Sequence, residues 1–103
     1  MEPQAEMFSN PAEIQNLNDL RNYVHHKICD HNELEAFAFP LTERILVRGG
    51  RPCGMFFCLH GPRSVKLTAI WETDRNTVLF YGSNGERQHR TYLQHAPKLV
   101  AAA

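Results

Sequence analysis

The sequence predicts an α+β fold, in which one N-terminal helix packs on a four- to five-stranded antiparallel β-meander. Three observations carry that reading. Apolar residues at Ile14, Leu17, Leu20, Val24 and Ile28 recur at spacings of three and four, which lines them along one stripe of a helix. Four turn signals, RGGRP, HGPRS, ETDRN and GSNGE, punctuate the second half, with a strand-like apolar segment between each pair. A chain of 103 residues holds one modest core, so residues 1–103 read as a single domain, with leader 1–9 and tail 96–103 expected to fray.

The helix has a start signal at Asn10-Pro11-Ala12-Glu13: Asn at the N-cap, Pro at the first helical position, and Glu placed to close a capping box. It is expected to end near His31-Asn32. A division into two pieces, the second capped by Asn18, is the alternative. The connector 32–41 carries Phe37, Phe39 and Leu41, which are expected to tuck into the core.

The strands are placed at 43–48, 54–60, 64–72, 76–82 and 86–93. Asn84-Gly85 is the strongest hairpin signal, expected as a type I′ turn with positive φ at both central residues. Gly61-Pro62-Arg63 and Asp74-Arg75-Asn76 read as turns, and Gly49-Gly50-Arg51-Pro52 as a looser loop, with Cys53 placed in a turn by its neighbours Pro52 and Gly54. With those tips fixed, Trp71 falls opposite Val78, Ala69 opposite Phe80, and Phe80 opposite His89. Val65, Leu67, Ala69, Trp71, Val78 and Phe80 then form the face that receives the helix. Lys66, Thr68, Ile70, Leu79, Tyr81, Arg90 and Tyr92 form the opposite face. Segment 55–59 is apolar on both sides, so its strand reads as central and covered on both faces. Whether Phe56 or Phe57 meets the helix stays open.

Charge is zero overall but divided. Residues 1–42 hold seven acids and two bases; residues 43–103 hold four acids and nine bases, giving −5 and +5. Either the halves neutralise each other in the fold, or the second half meets an anionic partner. The chain has no apolar run long enough to span a membrane, and its acidic start lacks the features of a secretory signal. Three cysteines do not make a disulfide framework, so a cytoplasmic location is expected.

The outer sheet face is the main functional candidate. Tyr81 and Tyr92 interleaved with Lys66 and Arg90 form the combination that stacks bases and holds phosphates on RNA-binding sheets, with Arg51 and Arg63 as further phosphate contacts. Its apolar members, Ile70 and Leu79, favour an interface with a protein partner or a second copy. A Cys2His2 zinc site from His25 and Cys29 on the helix and Cys58 and His60 on a strand would require the two to pack face to face. Cys53, beside Arg51 in a turn, is a candidate thiol with His60 or His89 as base. No GxGxxG, Walker loop, HExxH or GxSxG is present, and no cofactor is expected.

The segment DLRNYVHHKICDHNELEAFAFPLT, followed by ERILVRGGRPCGMFFCLHGPRSVKLTAIWETDRNTVLFYGSNGER, resembles small bacterial proteins of planctomycete type that have no assigned activity. The resemblance implies a bacterial, cytoplasmic protein and transfers no catalytic residue. The leading expectation is a non-enzymatic binding or regulatory module that uses the outer face and the RGGRPCG loop. Single-stranded nucleic-acid binding is the alternative, and a small metal or thiol protein the third reading.

Overall fold

The computed structural model describes residues 11–99. Helix α1 (Leu17–His31) is followed by strands β1 (Leu41–Arg48), β2 (Arg51–His60), β3 (Lys66–Glu72), β4 (Thr77–Tyr81) and β5 (Arg87–Tyr92). The strands form one antiparallel sheet in the order β1-β2-β3-β4-β5. The α+β meander is therefore present, with five strands.

The helix starts later than the Asn10-Pro11 signal predicts. Asn10 lies outside the described residues; Pro11–Glu13 form a single 3-10 turn, closed by Ile14 N–H to the Pro11 carbonyl at 3.2 Å. The effective N-cap is Asn16, two residues before the alternative at Asn18. Its side chain accepts from Asp19 N–H at 2.8 Å, while the Asp19 carboxylate accepts from Gln15 N–H at 3.2 Å. This reciprocal pair satisfies N–H groups that a helix start leaves open. The helix ends where expected. Glu33 adopts φ 57°, and Leu34 N–H reaches back to the Cys29 carbonyl at 2.8 Å, a Schellman closure built without glycine.

Leu20, Tyr23, Val24, Ile28 and Cys29 of α1 meet Met55, Phe57 and Leu59 of β2, Leu67, Ala69 and Trp71 of β3, and Val78 and Phe80 of β4. Each such burial of a large side chain contributes roughly 1.5–3 kcal/mol. Phe57, not Phe56, faces the helix. Polar ties fix the helix to both sheet edges: Arg21 grips Glu43 of β1 through two bonds of 2.5 and 2.7 Å, and Tyr23 Oη lies 2.8 Å from Thr91 Oγ1 of β5.

Phe39 and Leu41 of the connector pack against the core, but Phe37 does not. It is 44% exposed, and its left-handed backbone, φ 64°, turns the ring onto His25 at 4.7 Å. In the tail, Pro97 is buried and Leu99 packs on the core, whereas leader 1–9 lies outside the described residues.

Two turns differ from expectation. Gly49 and Gly50, at φ 59° and 79°, make a tight two-residue hairpin that pairs Arg48 with Arg51. Arg51, Pro52 and Cys53 are consequently strand residues of β2, not a loose loop. Cys53 is left over between the Leu46–Gly54 and Val47–Pro52 pairs, as the extra residue of a bulge. At GSNGE only Gly85 has positive φ, 84°, and its N–H bonds the Gly82 carbonyl at 3.0 Å. That is a three-residue loop with a left-handed glycine, so the type I′ expectation fails there.

Candidate binding face on the outer side of the sheet

The register expected from sequence is observed: Trp71 pairs with Val78, Ala69 with Phe80, and Phe80 with His89. Strand alternation therefore turns Lys66, Thr68, Ile70, Leu79, Tyr81, Arg90 and Tyr92 to the side away from α1. The register also adds residues that the sequence alone left unplaced. Arg44, Phe56, Ile70, Leu79 and Arg90 are successive partners across all five strands. They form one row: three apolar side chains, each half-buried, between two exposed arginines.

The guanidinium groups at the row's ends are already ordered. Arg44 sits 5.2 Å from the centre of the Phe56 ring. Arg90 sits 5.8 Å from the Tyr92 ring and donates to Tyr92 Oη at 2.7 Å. Cations over ring faces gain from the ring quadrupole. Beyond the row, Thr42 Oγ1 and His60 Nε2 are 2.9 Å apart, and Lys66 is exposed beside His60, its partner on β2.

The other predicted site residues are less concentrated. Tyr81 and Tyr92 share the face, but Tyr92 pairs with Thr77, so roughly 13 Å of strand separates the two rings. Arg51 and Arg63 lie at opposite ends of β2, Arg51 beside the Gly49-Gly50 turn and Arg63 in the following 3-10 turn with φ 56°.

A hollow of about 450 Å³ opens at the β1–β2 bulge, among Leu46, Arg48, Cys53, Ile70, Glu72 and Asp74. Glu72 and Arg75 join it to a smaller one, of about 80 Å³, beside Leu79, Arg87, Arg90 and Tyr92. The two together cross the strands.

The metal reading requires a helix and a strand face that do not meet. Cys29 is buried in the core, with its thiol pushed up by burial, whereas Cys58 pairs with Thr42 and Thr68 on the far side of the sheet. His25 Nε2 is 2.7 Å from the Phe39 carbonyl oxygen. Among the described residues no group of three or more metal-ligating side chains converges. Cys53 has neither proposed base at hand: His60 is at the other end of β2, and His89 faces the helix side beside His31.

Among the described residues no ion pair joins an acid of the first half to a base of the second. Among the described residues the ion pairs are Arg21–Glu43 and Arg48–Asp74, and the first joins the halves with the base on the acidic one. Glu72 is the single acid on the outward strand positions, against Arg44, Lys66 and Arg90.

Family models, curated proteins and solved structures give no match to this chain. No helix among the described residues is long and apolar enough to cross a membrane.

Proposed function

We propose that this chain is a non-enzymatic binding module whose outer sheet face holds an acidic, partly apolar segment of a protein partner. One observation carries the reading: the row Arg44–Phe56–Ile70–Leu79–Arg90 has an apolar centre bracketed by cations. Ordered cations at the rim select an anionic partner and speed its approach, while the apolar centre supplies contact area.

Charge also argues against self-association through this face. Two copies placed face to face would oppose Arg44, Lys66 and Arg90 with the same residues. A nucleic acid would need ring faces free for stacking. Here Arg44 and Arg90 occupy the faces of Phe56 and Tyr92, and Tyr81 stands apart from both.

The test is titration of the labelled chain with a peptide alternating glutamate and leucine, a lysine–leucine control, and oligouridylate, each at two salt concentrations. The expected result is salt-sensitive amide shifts at Arg44, Ile70, Leu79 and Arg90 with the acidic peptide alone. A combined Arg44→Ala, Arg90→Ala change should weaken that binding by about tenfold or more. Tighter binding of oligouridylate would establish the nucleic-acid alternative, and indifference to all three would remove the face as a charged docking site.

A further inference from the structure

The sheet has two edges, and they differ in chemistry. Strand β5 reads RQHRTY and contains no aliphatic residue. Strand β1 reads LTERILVR, with three aliphatic residues in succession, of which Ile45 is 37% and Val47 61% exposed. An edge strand presents unpaired N–H and C=O groups, and charged side chains are the usual guard against pairing with another chain. The two charges in the middle of β1 do not stand guard. Glu43 is held by Arg21 of α1, and Arg44 is drawn back over Phe56.

The backbone directions follow from one bond. The Pro40 carbonyl accepts from His60 N–H at 2.9 Å. Antiparallel alternation then turns Thr42, Arg44 and Leu46 toward β2, and Leu41, Glu43, Ile45 and Val47 toward the open edge. The bulge does not interrupt that edge, because its extra residue, Cys53, belongs to β2.

We infer that β1 pairs with β1 of a second copy, antiparallel, across a two-fold axis at Ile45. Among the axes through the middle of the strand, Glu43 to Leu46, the charges select this register. A two-fold axis at Glu43 sets Glu43 against itself, one at Arg44 sets Arg44 against itself, and one at Leu46 sets Arg44 against Arg48. The axis at Ile45 pairs Ile45 with itself, Glu43 with Val47, Arg44 with Leu46 and Thr42 with Arg48, so no like charges face each other. The axis runs through the sheet, so both helices lie on one side and both outer faces on the other. This interface shares Arg44 with the proposed partner-binding face but is tested at Ile45 and Val47, which lie on the other face, so the two readings can fail separately.

The test is sedimentation of the full chain from low to high micromolar concentration, with two substitutions at one exposed position. Wild type should show a monomer–dimer equilibrium. Val47→Glu faces Glu43 of the second copy twice per dimer and should weaken the dimer by about tenfold. Val47→Lys faces the same carboxylates and should keep or tighten it. Ile45→Lys, which sets a lysine against its own copy, should give monomer. Hydrogen exchange at Glu43, Ile45 and Val47 should slow as the dimer forms. Wild type that stays monomeric overturns the inference. So does a dimer that Val47→Glu and Val47→Lys weaken alike, or one in which those three amides exchange at the monomer's rate.

Discussion

The Trp71 indole N–H donates to the Asn76 side-chain oxygen at 3.1 Å, and this one bond ties the centre of the core to the chain's C-terminal tail. The Asn76 amide nitrogen donates in turn to the carbonyls of Leu93 and His95, at 3.3 and 3.0 Å. Its backbone is left-handed, φ 48°, a conformation that asparagine tolerates better than most residues. One side chain thus caps a buried Trp, closes the β3–β4 turn and anchors the segment after β5.

Asn76→Ala removes all three side-chain bonds and leaves Ala in a strained backbone. The loss is expected to be about 2–4 kcal/mol. Asn76→Asp keeps the acceptor for Trp71 but sets a carboxylate oxygen against the Leu93 and His95 carbonyls, and at neutral pH should cost at least as much. Denaturant melts monitored by Trp71 fluorescence rank the two. Equal stability of Asn76→Ala and wild type would show that the tail anchor is idle.

Gly54 of β2 pairs with Glu72 of β3. A Cβ there would lie 2.1 Å from the Trp71 carbonyl oxygen, a backbone atom that cannot swing aside. Gly54→Ala should therefore cost about 3 kcal/mol or more, by forcing the strands apart at the bulge. By contrast, Gly49→Ala and Gly50→Ala meet no atom within 4 Å and should cost only the strain of positive φ, about 1 kcal/mol each. Thermal unfolding of the three variants should rank Gly54→Ala lowest.

Most of the sheet was legible in the sequence because a period of two is a strong signal once two turn tips are fixed. Trp71–Val78 follows from ETDRN alone, whereas Phe80–His89 holds because an extra β5 residue, Gln88, offsets the three-residue loop that replaces the expected two-residue turn. Phe56 and Arg44 were not legible as members of the outer row. Their register depends on the Gly61–Val65 loop, where Arg63 and Ser64 both have positive φ, and on the bulge at Cys53. Neither irregularity has a composition signature. The helix start was misplaced for a related reason: Pro11 suits a 3-10 turn as well as a first helical position, and the decisive contact is the Asn16–Asp19 exchange.

Among the described residues, Tyr23 carries the buried side-chain hydrogen bond between α1 and β5, to Thr91 at 2.8 Å. Tyr23→Phe leaves the Thr91 hydroxyl buried without that partner and should cost about 1–3 kcal/mol. Tyr23→Phe combined with Thr91→Val removes both polar groups and should recover part of the loss. A double variant no more stable than Tyr23→Phe would count against this account.

His31 and His89 supply the pH dependence. Their ring centres are 4.9 Å apart, and each lies 5.8 Å from the Phe80 ring. Burial holds His31 below the ordinary imidazole value, reinforced by His89 and Lys27 and opposed by Asp30; burial and Lys27 do the same for His89. Protonation would also place an N–H at His31 Nδ1, a buried atom with no hydrogen-bond partner. As pH falls through about 6.5, the unfolded chain takes up these protons before the folded one does. The contribution of the pair is therefore complete above that value and is lost as pH falls through the lower folded values. Urea midpoints should drop between pH 7.5 and 5, and the combined His31→Gln, His89→Gln variant should show a smaller drop. An equal drop in that variant would assign the acid sensitivity to other groups.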